Sequence, residues 1–232
     1  MIFHIGIENN NEGFRSIVWM LEHPGCFAYG KDESEALKNL PEAIRDYSAW
    51  IGQHESSWID ESIIELKVED IFNDYTINES FDRDKESDFY GVESWFQYDW
   101  KPLTAMDIER VLKLLAWSRA DLLNTIKGLS PEKLDEKYPN ERWNINGILK
   151  HVGGAEWWYM ERLRRAFPQS DLPKEPMARL EKVRTHLNQI LPTLESVKQV
   201  VGVDGEFWSP RKMLRRAVWH ERDHTIHIRK LL

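Results

Sequence analysis

Apolar and polar positions follow two different periods along the first hundred residues. The stretches IFHIGIE and FRSIVWML are dense in β-branched and aromatic side chains and are separated by the polar NNNEG, a pattern that predicts a β-hairpin. HPGC supplies a turn, and CFAYG predicts a short third strand. In DESEALKNLPEAIRDYSAWIGQH the period changes. Ala36, Leu37, Leu40, Ala43, Ile44 and Tyr47 recur at three and four, as on an amphipathic helix. Asp32 fits its N-cap, with Glu35 three positions on, while Pro41 argues against one unbroken helix. SIIELKVEDIF and FYGVESWFQYDW predict two more strands around the acidic loop DYTINESFDRDKES.

From about Lys101 the pattern is helical throughout. Thr104 and Asp107 form a capping box ahead of the stripe Ile108, Val111, Leu112, Leu115, Leu122 and Ile126. LSPEKLDEKYPNERW is a break holding one short turn. A second helix starts near Asn144 and runs through ILKHVGGAEWWYMERLRRA, and FPQSDLPKEP is a loop. MARLEKVRTHLNQILPTLESVKQVV predicts a third helix, with Leu180, Val183, Leu187, Ile190, Leu194 and Val197 inward and Pro192 as a kink. Ser209 and Pro210 mark the start of a fourth, which runs nearly to the last residue. Four such helices predict an antiparallel bundle. The chain shows no obvious linker or internal repeat. The expected class is α+β in two domains, residues 1–100 and 101–232.

Composition narrows the function. The chain has 232 residues, long enough for one large domain or two ordinary ones, and its 11 Trp, 7 Tyr and 9 Phe supply core side chains that argue against disorder. A net charge of −8 gives no support for binding nucleic acid through its phosphates. The single cysteine, Cys26, excludes an intrachain disulfide and fits a reducing cytoplasm, where we read it as structural. No basic and apolar leader opens the sequence, and no apolar run approaches the roughly 20 residues that cross a bilayer. A soluble cytoplasmic protein is expected.

The candidate chemistry lies in HERDHTIHI. HExxH is the spacing by which one helix offers a metal two histidines. At about 100° per residue, His220, His224 and His227 share one face at the edge of the apolar stripe. Glu221 falls amid the apolar residues, where an unpaired carboxylate is costly, so it needs a cation, a ligated imidazole or an arginine. It is the candidate general base, but orienting an imidazole as its acceptor and pairing with an arginine, the two together, are the favoured roles. In HExxH proteases the third ligand follows the motif, yet no carboxylate follows His224, which disfavours a protease. Three ligands on one straight helix would be badly arranged around a tetrahedral ion. An earlier helix should therefore supply the third. His151 in ILKHVGGAEWWY has the same edge-of-core position, with Gly147 and Gly154 leaving room beside it for a helix, a ligand or a substrate. His186 is a weaker candidate, and Glu156 could reach the same cluster. Arg215, Arg216, Arg222 and Arg229 read as a solvated basic face by default, or as contacts to an anionic substrate. Tryptophans 157, 158, 208 and 219 read as core or domain-contact residues, some of them as walls of a substrate pocket.

Two resemblances add to this. The hairpin followed by PGCFAYGKDESEALKNLPEAI, within residues 1–71, resembles the HicB-like antitoxin domain, which implies a β-β-β-α-β fold and a protein partner. No helix-turn-helix or ribbon-helix-helix tail follows it here. WNINGILKHVGGAEWWY and LRRAVWHERDHTIHI, within residues 104–232, resemble the DinB-like family of four-helix metal-binding proteins. That resemblance implies a divalent metal, zinc or nickel, on His151, His220 and His224, with positions left for water or substrate. Its members include thiol-dependent S-transferases, so a low-molecular-weight thiol cosubstrate is implied as well. The leading expectation is a metal-dependent transferase or hydrolase in which an activated nucleophile attacks an electrophilic small molecule. The N-terminal domain would cover the site or hold a second subunit in a homodimer. The alternative is a non-catalytic binding protein with a structural metal and a HicB-like interaction domain.

Overall fold

The computed structural model describes residues 2–11, 15–60, 64–77, 83–84 and 90–232. They fall in two compact units, each considered by itself. The first comprises Met1–Lys101 with Lys198–Arg215, and the second Pro102–Val197 with Arg216–Leu232. The class is mixed α+β, with a sheet in the N-terminal part and helices in the C-terminal part.

In the first unit the predicted strands and helix are β1 (Ile2–Asn11), β2 (Arg15–Met20), β3 (Phe27–Gly30), α1 (Glu33–Gly52) and β4 (Glu65–Asn73). The sheet order is β3-β2-β1-β4. The hairpin pairs β1 and β2 antiparallel, whereas β4 joins β1 in parallel. A parallel partner needs a crossover, and α1 is part of it. Ala36, Leu40, Ile44, Tyr47 and Ile51 bury one face of α1, which packs on β2 and β3. The Asp32 carboxylate accepts the Glu35 amide at 2.9 Å as the N-cap. Pro41 does not break α1. The hydrogen bond it removes and its ring clash cost about 3 kcal/mol, and the neighbouring buried residues Leu40 and Ile44 offset this through packing.

FYGVESWFQYDW is not a strand along its length. Among its described residues only Tyr90–Gly91 pairs, as β7, beside β5 (Thr76–Ile77) and β6 (Arg83–Asp84) in a small sheet ordered β6-β5-β7. The stretch then ends in a 3₁₀ turn, Gln97–Trp100, closed by Asp99 accepting the Phe96 amide at 3.0 Å. Much of the acidic loop before it, residues 78–82 and 85–87, lies outside the described residues, as does Phe89 at the start of the stretch. The first unit also holds a hairpin that the helical reading of 198–201 overlooked, β8 (Val201–Val203) and β9 (Glu206–Trp208). Its turn is Asp204-Gly205, both at positive φ, the geometry that favours Asp-Gly in two-residue hairpin loops. Arg215 is buried here against Asp99 at 2.7 Å, so this arginine belongs to no solvated face.

The second unit holds α2 (Ala105–Ile126), α3 (Pro131–Leu134), α4 (Ile145–Arg162), α5 (Pro176–Ile190) and most of α6 (Pro210–Leu231). The capping box of Thr104 and Asp107 forms as predicted. Asn144 caps α4 through the Gly147 amide at 2.7 Å. The third helix is shorter than its apolar pattern suggested. It stops at Ile190 and continues only as a 3₁₀ turn, Leu191–Leu194, because Pro192 has no amide to give and its ring crowds the preceding turn. Leu122, Ile145, Ile148, Leu149, Val152, Leu180 and Ile228 form a core shared by α2, α4, α5 and α6. No helix among the described residues is long and apolar enough to cross a membrane.

Candidate metal centre

Asn144 starts α4 so that His151 stands two turns into the helix, and α6 presents His220 and His224 one turn apart. The three imidazoles meet. His220 Nε2 lies 3.0 Å from His151 Nε2 and 3.2 Å from His224 Nε2. One ligand atom from each falls within 4.8 Å of the others, and among the described residues this is the one group of three or more His, Cys, Asp or Glu close enough to share an ion.

A neutral imidazole has one N–H and one lone pair. Three Nε2 atoms aimed at one point cannot all be satisfied by each other's protons. A divalent cation can accept all three lone pairs. Electrostatics keep the lone pairs available. Burial pushes His220 well below its ordinary value, with further lowering from His224, His151 and Arg216. Burial likewise lowers His224 to about 3, helped by His151 and His227. Near neutral pH both are therefore unprotonated donors. The buried Nδ1 of His224 has no hydrogen-bond partner among the described residues. The donor set thus fits a divalent cation.

Aromatic rings frame the cluster. Trp143 stacks on His151 with centroids 4.4 Å apart and planes at 26°. Gly147 permits this: a Cβ there would stand 2.8 Å from the Trp143 Cβ. The room beside Gly154 and its neighbour Gly153 is taken by Arg179 of α5, whose Nε donates to the Pro173 carbonyl at 2.7 Å. The space suggested by the glycines is thus filled by protein. Tyr159 and Trp219 approach His220, with centroids at 6.0 and 5.6 Å. Arg216 is buried, with its guanidinium 4.4 Å over the Trp219 ring, and so is not part of a solvated face. The sequence reading named Trp219 but not Trp143, whose signal was its position just before the Asn144 cap.

Glu221 takes up different partners. Ser118 donates to it at 2.6 Å, Arg119 Nε at 2.7 Å and Arg184 Nη2 at 3.1 Å. Arg184 also holds Glu156, through Nε at 2.8 Å and Nη2 at 2.9 Å. Burial raises the Glu221 pKa, but Arg184, Arg119 and Ser118 outweigh it and hold the carboxyl below its ordinary range. Glu156 and Glu221 both lie in this net. His186 Nε2 pairs with the Arg165 carbonyl at 2.7 Å, and His227 with Glu141 at 2.9 Å.

No curated protein matches the chain. It is similar to a solved structure described as TT2238, a four-helix bundle protein, at 22% identity and a TM-score of 0.44, over 53% of this chain and 98% of that one. Residues 114–228 match the DinB superfamily, and the match does not extend to residues 1–71. Residues 114–228, which carry all three imidazoles, are a DinB superfamily domain.

Proposed function

We propose that His151, His220 and His224 hold a divalent cation, zinc or nickel, at the centre of an enzyme acting on an electrophilic small molecule. The observation that carries this is the meeting of three imidazole Nε2 atoms from two helices. When bound, such a cation supplies Lewis-acid activation of a water or thiol nucleophile. We favour transfer to a low-molecular-weight thiol over hydrolysis. The chain's own residues present three imidazoles, exclude protons from His220 and His224 through burial, and fix the His151 ring under Trp143. Glu221 fits a holding role better than that of general base, because arginines and a serine occupy its oxygens.

The second reading is a binding protein with a HicB-like interaction domain and a structural cation. A structural zinc takes four protein ligands. The residues available as a fourth are Glu221, Glu156 and His186, and each is engaged elsewhere. That supports an open coordination position, as catalysis needs. The test is metal analysis of wild type and His151→Ala, with a thiol-consumption assay across electrophiles. Metal bound by wild type only, with thiol consumed, is the expected result. Metal bound without thiol consumption or hydrolysis would favour the binding protein.

A further inference from the structure

The arginine–glutamate net has a reciprocity that simple pairing does not require. Arg119 on α2 gives Nε to Glu221 at 2.7 Å, Nη2 to Glu156 at 3.2 Å and Nη1 to the Leu180 carbonyl on α5 at 2.7 Å. Arg184 on α5 gives Nε to Glu156 at 2.8 Å, Nη2 to Glu221 at 3.1 Å and Nη1 to the Leu115 carbonyl on α2. Each arginine thus reaches the carbonyl one turn before the other, and the two carboxylates exchange roles. Arg119 and Glu156 stand 37 residues apart, and so do Arg184 and Glu221.

The offset that carries Arg119 onto Arg184 also carries Leu122 onto Leu187, Trp143 onto Trp208 and Leu149 onto Leu214. It carries the cap Asn144 onto Ser209, which accepts the Lys212 amide as Asn144 accepts that of Gly147. The chain therefore does contain a repeat: α2 with α4 matches α5 with α6. Too few side chains keep their identity for it to stand out by sequence alone. The histidines do not follow it. Arg216 occupies the place of His151, and Ala155 and Tyr159 those of His220 and His224.

We infer that this twofold net is the positioning device of the imidazole cluster, holding α4 and α6 at one register and rotation so that ligands from separate helices reach one point. The inference rests on the cation-binding reading above. A slip of one turn moves a side chain about 5.4 Å, whereas a working site tolerates displacements of about 0.5 Å. An apolar helix contact can repack under substitution. Charged hydrogen bonds from two arginines to carboxylates on both ligand-bearing helices are directional, so few other alignments satisfy them. Arg119, Glu156, Arg184 and Glu221 are positioning residues in this sense.

The test is zinc affinity by competition with a chromophoric chelator, together with the visible absorption of the cobalt(II) form. Arg184→Met and Glu156→Gln are expected to weaken zinc binding about 10- to 100-fold, as changes to groups that orient ligands do, and to shift the cobalt bands. Ser118→Ala should shift both in the same sense by less. Leu191→Ala, a core change outside the net, should lower stability yet leave affinity and bands as in wild type. If Arg184→Met does not fold, Arg184→Lys and Ser118→Ala carry the test. Folded net variants with wild-type affinity and bands would overturn the inference. A wild type that binds no more metal than His151→Ala would instead bring down the cation-binding reading itself.

Discussion

His220 and Glu221 are adjacent in sequence, and they belong to polar clusters of opposite kinds. The imidazole cluster has three ring nitrogens facing one another and no carboxylate among its members. The arginine–glutamate net has charges of both signs, with bonds from two guanidiniums and a hydroxyl distributed over two carboxylates. Burial alone does not separate the two, since both contain groups shielded from water. What separates them is whether the group carries charges of both signs. A net whose guanidiniums and carboxylates neutralise one another is architecture, and a convergent set of like ring nitrogens is a place for a cation that arrives from outside.

The largest expected effect would break the comparison outright. His220→Ala should abolish binding of zinc or nickel, as measured by metal analysis, while the fold persists in circular dichroism. A comparable loss of metal in the Leu191→Ala control would erase the distinction. Next, Arg184→Met should destabilise the chain by about 3–5 kcal/mol, because Glu156 and Glu221 would be left buried without their main counter-charge, a loss read from the urea midpoint.

Acid should separate the clusters in sequence. In the metal-free chain His224 titrates at about 3 when folded and at about 6.5 when unfolded. The unfolded state therefore binds the proton first, and stability falls as pH drops below about 6.5, by up to about 1.4 kcal/mol per unit. Glu221 is lowered from an ordinary carboxylate value, so its contribution is present above that value and is lost only as pH falls below it, at about 4.3 and under. Urea titrations at several pH values should show the imidazole loss first. The smallest effect sharpens one ring. Gly147→Ala should push Trp143 off His151 and weaken zinc about tenfold, with a change in tryptophan emission on metal binding.

The imidazole cluster was legible in the sequence because its members sit on helix faces whose period is strong, and wheel positions placed all three at the edge of the core. The need of Glu221 for a partner was legible too. Its partners were not, since Arg119 and Arg184 lie on other helices and a wheel says nothing about neighbours across a bundle. Arg215 and Arg216 look solvated on charge alone, yet Asp99 and the Trp219 ring take them in. Trp143 precedes its helix and belongs to no stripe. The strands β1 to β4 and the helix α1 followed their periods, and the apolar run through Val197 concealed a stop that Pro192 imposed.

The first unit is assembled from two separated stretches of chain, and this bears on where the protein can be cut. A fragment ending at Lys101 would forfeit Arg215, leaving Asp99 and the Ser94 carbonyl without its guanidinium, and Lys212, which serves the Glu93 carbonyl. Expression boundaries drawn at residue 101 should thus yield insoluble or protease-sensitive material, because the first unit also includes Lys198–Arg215.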